Sequence, residues 1–326
     1  MRYGRMRHRR ARPDPPADLI EEVASQSARA VAPALHRLCE QMLARFGAAV
    51  AGVIFYGSCR RSEQPNAGLV DLYVIVDRYA AVYDSYLLRW LNALLPPNVF
   101  YHESADTDGA MLRAKCAVLS LQDLELGTSR WFHSYLWGRF AQPLRLIYAR
   151  DAASRDRIER ALALAVVTLI ERTLPCLPER FDSAQCWQRA LALSYSAELR
   201  PESPRRAAEL VGHDLSDYRR RTAAALPAIP GMLAVEGTDR YINRLPIGTR
   251  SSPGWGWRVR QAQGRALSLL RLMKSAFTFE NGADYLAWKI EQHTGVALAL
   301  TPRQRRYPLL FGWSVLWRLL RQGSLR

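Results

Sequence analysis

Residues 53 to 77 constrain the fold more tightly than any other stretch. They read Val-Ile-Phe-Tyr-Gly-Ser-Cys-Arg-Arg-Ser-Glu-Gln-Pro-Asn-Ala-Gly-Leu-Val-Asp-Leu-Tyr-Val-Ile-Val-Asp. The apolar run from Val53 to Tyr56 halts at Gly57-Ser58, a polar loop follows, and a second apolar run contains Asp71 and closes on Asp77. The pattern predicts strand, turn, strand, with a carboxylate planted among Val, Ile and Leu. Desolvating that carboxylate is unfavourable unless it is paired or binds a metal, so Asp71 requires a chemical reason for its place.

Gly57-Ser58 supplies one. The backbone N–H groups of such a turn can converge on a phosphate, the serine hydroxyl lies beside them, and glycine lets the phosphate approach closely. Asp71 on the neighbouring strand would hold Mg2+ against the same phosphates. Nucleotidyltransferases use this arrangement to position a nucleoside triphosphate for attack at its α-phosphorus. Most enzymes of that fold carry Asp-x-Asp, but here Tyr73 stands at the second position. Asp77 is six residues on, about 20 Å along a strand, and reads as a strand-end or cap residue. Glu103, at the end of the next predicted strand, is the candidate second metal ligand.

Composition narrows the partners. A net charge of +16 favours polyanions: nucleotides, nucleic acid or an anionic membrane surface. Of 46 basic residues only three are lysines, Lys115, Lys274 and Lys289, which singles each of them out. The five cysteines are scattered without the short paired spacings of zinc ligands, and are expected to be free thiols in a reducing compartment. The six histidines form no pair at metal spacing; His102 alone falls on a strand near the expected site. No apolar run approaches the ~18 to 20 residues of a membrane span. Residues 1 to 16 are Arg-rich without a following apolar core, which argues against a secretory signal and predicts a disordered basic arm.

The expected architecture is α+β. Helical spacing covers Ala17 to Phe46, divided by Pro33. A helix is expected from about Tyr79 to Leu95, strands at Asn98 to His102, Ala114 to Leu119 and Leu144 to Tyr148, and a helix from Leu121 to Trp137 capped by Ser120 with Asp123 three residues on. Helices follow over Asp151 to Leu174, Ser183 to Leu199, Pro204 to Ala225, Arg258 to Phe277 and Ala283 to Gln292. The Pro- and Gly-rich stretch 226 to 257 reads as a long loop. These elements describe a mixed-sheet nucleotidyltransferase-like domain over 17 to 150 with flanking helices, a helical domain over 151 to 300, and a tail over 301 to 326. In the tail no acidic residue follows Glu291, and Trp313, Leu316, Trp317 and Leu320 share one helical face beside Arg318 and Arg321. Such a terminal amphipathic helix suits a membrane interface; a helix docked on its own domain would show the same stripe.

Several separate blocks resemble one known family. Phe55-Tyr56-Gly57-Ser58, Val70-Asp71-Leu72 with Val76-Asp77, and Val99-Phe100-Tyr101 are similar to its Tyr-Gly-Ser, Asp-x5-Asp and Val-Tyr-Tyr elements. Lys115, Val118, Ser120, Trp131, Tyr135, Gly138-Arg139 and Pro143 follow the spacing of its central blocks. Leu193-Ser194-Tyr195-Ser196 and Lys274-Ser275-Ala276-Phe277-Thr278 resemble two later ones, so two of the three lysines fall on lysines of the family. The family is the mitochondrial translocator assembly and maintenance group of phosphatidate cytidylyltransferases. These are peripheral enzymes that make CDP-diacylglycerol from CTP and phosphatidic acid. The chain departs from the family pattern at Val82-Tyr83, Tyr86, His102 and Gln142, and lacks the acidic residues expected near Leu126-Gly127.

The resemblance implies a Mg2+-dependent reaction with Asp71, Lys115 and Lys274 catalytic. Gly57, Ser58 and Arg139 would bind the nucleotide; Tyr195 and Ser196 would line its pocket or pack a helix. Trp313, Trp317, Arg318 and Arg321 would meet an anionic membrane, and nucleic acid is not an expected partner. The implied location is peripheral, on the cytoplasmic side of the inner membrane, or on the matrix side in a mitochondrion. Two other readings fit the residues: a nucleotidyltransferase acting on an RNA end, small molecule or protein, and a homologue that binds membrane or nucleotide without catalysis.

Overall fold

Pro33 separates two helices, α1 (Ala17–Ser27) and α2 (Pro33–Phe46), and occupies the first turn of the second, where its missing N–H has no helical partner to lose. The computed structural model describes residues 14–62, 68–105, 111–198, 204–246, 248, 253–285, 287–288 and 301. The expected tail helix and most of the basic arm lie outside these residues. The described chain divides into two compact units, each assembled from separated stretches. One, the sheet unit, takes residues 26–124, 144–155 and those from 262 onward; the other, the helical unit, takes those up to 25, 125–143 and 156–261.

The sheet unit is built on β1 (Val50–Tyr56), β2 (Leu69–Val76), β3 (Asn98–Ala105), β4 (Met111–Ser120) and β5 (Arg145–Ala149), in the order β3-β4-β2-β1-β5. β2 and β4 run parallel and the other neighbours antiparallel, giving a mixed sheet. The short helix α3 (Ser58–Ser62) follows β1, and α4 (Tyr86–Leu94) enters between β2 and β3. The expected helix from Tyr79 is shorter. A 3-10 turn at Tyr79–Ala81 comes first, and Ser85 caps α4 by accepting a hydrogen bond from the Leu88 N–H.

Alternation along the strands sorts their side chains into two faces. One face carries Phe55, Val70, Leu72, Val74, Leu112, Cys116 and Val118, packed against the Leu35, Leu38 and Met42 stripe of α2. The other face carries Tyr56, Asp71, Tyr73, Lys115 and Tyr101, as their cross-strand pairing requires. The Ser120 cap forms as expected: its Oγ accepts from the Asp123 N–H and donates to the Asp123 carboxylate. The helix it opens, α5 (Leu121–Ser129), ends early. The chain turns back so that Leu136 packs on Gly127, where any Cβ would come within 2.3 Å of the leucine. A four-residue helix, α6 (Trp137–Phe140), follows.

The helical unit contains most of α7 (Ala152–Thr173), together with α8 (Ser183–Tyr195), α9 (Pro204–His213) and α10 (Leu215–Ala225). A capping box between Asp182 and Gln185 starts α8. The stretch expected to be a loop instead holds β7 (Met232–Val235) and β8 (Arg240–Asn243), which pair with β6 (Arg180–Asp182) as a small antiparallel sheet. Gly237, at φ +69°, supplies the reversal between them. The long helix α11 (Pro253–Thr278) carries the chain onward, its last part belonging to the sheet unit.

Candidate active site

At the end of β1 the backbone turns through Gly57, whose φ of +89° is open to glycine and strained for any side chain. A Cβ there would lie 2.5 Å from Asp71 Oδ2, so the turn and the carboxylate are packed directly on one another. Tyr56 faces Asp71 across the antiparallel pair, and Lys115 faces it across the parallel pair with β4. Tyr101 on β3 stands opposite Lys115 in turn. One row across four strands therefore reads Tyr56, Asp71, Lys115, Tyr101. Asp71 and Lys115 are both half-buried, and on the same face the Tyr56 and Tyr73 rings meet with their centroids 5.0 Å apart. Asp71 is felt electrostatically by its neighbours: the Cys59 thiol is pushed up by burial and then by the Asp71 charge.

The neighbouring row is occupied differently. Glu103, the expected second metal ligand, accepts hydrogen bonds from the Tyr101 hydroxyl at 2.6 Å and from Arg113 Nε at 3.1 Å. It pairs with Arg113 on β4, with that strand standing between it and Asp71. Burial, then this carboxylate, raises the Tyr101 hydroxyl above its ordinary value. Asp77 lies past the end of β2, where Arg150 grips its two carboxylate oxygens at 2.6 and 3.1 Å. His102 belongs to the opposite face, 2.6 Å from the Gln41 side-chain oxygen.

Among the described residues no group of three or more His, Cys, Asp or Glu could enclose a metal ion. A strand carboxylate beside a glycine-serine turn nevertheless fits Mg2+. That ion retains waters and is commonly held by one or two carboxylates together with substrate phosphates. The donor set suits a metal shared with a triphosphate and does not suit a closed protein cage.

Lys274 stands apart from the row. Only 7% exposed, it donates from Nζ to the carbonyls of Leu95 at 2.5 Å and Pro97 at 2.8 Å. Burial, then the nearby Arg271 charge, lowers it to about 7. A cavity of about 510 Å³ in the same unit opens beside Phe100, whose side chain is on the face away from Asp71. Arg45 lies over the Phe100 ring there and pairs with Glu280 at 2.6 Å.

The remaining expected nucleotide contacts belong to the helical unit. Arg139 extends over the Tyr135 ring and pairs with Glu198 at 2.9 Å. Tyr195 donates from its hydroxyl to Gln142, while Ser196 accepts from Gln261 at 2.7 Å. Gly138 makes this cluster possible, because a Cβ at that position would meet Ser194 Oγ at 2.0 Å. Tyr56 and Tyr101 entered the sequence reading only as members of the matching blocks, with no place in the site, and Arg113 did not enter it. The alternation of Arg113 and Lys115 in β4 hinted at a polar face, but only strand register assigns its neighbours.

A mixed sheet with a glycine-serine turn packed on a strand carboxylate defines a domain of the nucleotidyltransferase type. The chain belongs to the family described as mitochondrial phosphatidate cytidylyltransferase, which matches residues 70–243. A Schizosaccharomyces pombe protein named mitochondrial phosphatidate cytidylyltransferase is 23% identical over 145 residues, covering 43% of this chain and 35% of that protein. The match thus spans about a third of the relative's length. The crystal structure of a nucleotidyltransferase-like protein from Exiguobacterium sibiricum aligns over 89% of this chain and 92% of that one, at 12% identity and a TM-score of 0.25. Among the described residues no helix is long and apolar enough to cross a membrane.

Proposed function

We propose that this chain is a phosphatidate cytidylyltransferase, joining CMP from CTP to phosphatidate with release of pyrophosphate. The observation that carries the reading is the pairing of Asp71 with Lys115, both inside the residues matched by the family, beside the Gly57-Ser58 turn that precedes them. A phosphatidate oxygen forms the new bond to the α-phosphorus of CTP, and the bond from that phosphorus to the bridging oxygen breaks. Pyrophosphate leaves with the electron pair. The attacking oxygen is already anionic near neutral pH, so the step needs no strong general base.

The Gly57-Ser58 turn would receive the triphosphate, and Asp71 would hold Mg2+ against it. When bound, that ion supplies charge neutralisation at the phosphates. Lys115, a compact cation next to Asp71, would balance charge developing on the transferred group. Lys274 has a different task in this reading: it fixes α11 to the turn after α4. Arg139, Tyr195 and Ser196 remain candidates for nucleotide recognition in the helical unit. The lipid substrate implies work at a membrane surface.

Incubation of purified protein with labelled CTP, Mg2+ and phosphatidate should yield labelled CDP-diacylglycerol. Asp71→Asn should lower turnover by ~100-fold or more while the melting transition remains cooperative. Asp77→Asn, which touches only the Arg150 pair, should leave turnover within about twofold of wild type. Label transferred to RNA and never to lipid would overturn the assignment of acceptor.

A further inference from the structure

Two helices of the sheet unit present apolar side chains to solvent where a soluble surface would place polar ones. In α4, Asn92 is buried and ties the helix to the sheet, donating to the Val118 carbonyl and accepting from the Asn98 N–H. With that side turned inward, the 3.6-residue period directs Leu87, Trp90 and Leu94 outward. All three are exposed, Trp90 by 60%. In α11, Lys274 is the inward residue, and the same period turns Leu269 and Leu272 away from it with Met273 to the side. These are exposed too, Leu272 by 61%. The two helices meet where Lys274 and Arg271 donate to the carbonyls of Leu95, Pro96 and Pro97, in the turn that follows α4.

Charge distinguishes this surface from an interface for an ordinary protein partner. Neither helix contains an acidic residue: the charged residue of α4 is Arg89, and the sheet-unit part of α11 has Arg265 and Arg271 besides the inward Lys274. Arg89 lies 4.9 Å over the ring of Tyr86, itself an exposed aromatic at the start of α4. Glu280, just beyond α11, is paired with Arg45. Exposed Leu, Met and Trp on helices whose charged side chains are all basic are the composition of helices that rest in the headgroup boundary of an anionic bilayer.

We infer that the outward faces of α4 and the C-terminal part of α11 form a docking surface for an anionic lipid bilayer. The inference rests on the cytidylyltransferase reading, since it names the surface through which such an enzyme would meet its lipid. The tail expected to meet the membrane is separate in sequence, so the two contributions can be told apart.

The test uses the full chain with Leu87→Gln, Trp90→Gln, Leu272→Gln and Met273→Gln together, all exposed positions outside the Asp71 row. Sedimentation with phosphatidylglycerol–phosphatidylcholine vesicles should show binding weakened by ~100-fold, with an unchanged melting transition. Turnover of a water-soluble short-chain phosphatidate should stay at the wild-type level. Unchanged vesicle binding would overturn the docking surface, as would loss confined to a full-length Trp313→Gln, Trp317→Gln comparison variant. So would a wild-type dimer that the fourfold variant disrupts without any change in vesicle binding. Should no phosphatidate be turned over by wild type while the fourfold variant still loses vesicle binding, the catalytic reading fails and the docking surface stands.

Discussion

At the scale of the residue, Gly57 is more informative than the serine beside it. Its positive φ and the absence of a Cβ let the Asp71 carboxylate close against the turn. Gly57→Ala imposes two penalties at once, a strained backbone and a displaced carboxylate. It should destabilise the fold by about 1 to 3 kcal/mol in denaturant titration and lower turnover more than that loss of folded protein explains. Lys274 makes a prediction of the opposite kind. Its value falls from 10.5 unfolded to about 7 folded, so between those limits the unfolded chain binds the extra proton. Stability from this group therefore rises with pH from about 7 toward 10.5, by up to about 1.4 kcal/mol per pH unit, and the charged form below 7 is the destabilising one. A neutral amine still offers N–H groups to the Leu95 and Pro97 carbonyls. Urea titrations across this range should show the rise in wild type and its absence in Lys274→Met.

Elements were legible where one period dominated. Pro33 divided α1 from α2 as expected, and the apolar runs marked β1 and β2 because their residues bury both faces of a central sheet. Strands β6, β7 and β8 were not legible, being three or four residues long and set among prolines and glycines that locally signal a loop. Nor could the sequence reveal that Lys115 would stand beside Asp71. The two are 44 positions apart, and parallel pairing leaves no local signature of its register. The Asp71 carboxylate itself was conspicuous among Val and Leu, whereas Glu103 was only a candidate for a second ligand, and its engagement by Tyr101 and Arg113 had no signal in the sequence. Close approach between elements was also hidden. Gly138 in α6 sits on Ser194 of α8. Gly138→Ala should destabilise by about 1 to 3 kcal/mol, and adding Ser194→Gly should recover part of that loss, a coupling that a double-mutant cycle in denaturant would measure.

For the whole molecule, the surplus of +16 acts over distances that no single contact covers. Composition alone left nucleotide, nucleic acid and membrane open as its partner, and the separate units interleave along the chain in a way no composition shift announces. If the surplus draws the enzyme to its lipid, attraction to anionic vesicles must weaken as salt shortens the Debye length from ~30 Å at 0.01 M to ~8 Å at 0.15 M. The apolar part of the interaction is not screened in this way. Vesicle binding should therefore fall with salt toward a residual level and then flatten, while neutral phosphatidylcholine vesicles bind at that residual level throughout. Turnover of vesicular phosphatidate should follow the binding curve more steeply than turnover of a soluble short-chain substrate. Sedimentation and product assays over one salt series measure both. Binding to anionic vesicles that ignores salt would mean the charge serves the nucleotide alone, because a site enclosing the triphosphate is screened far less than an exposed surface.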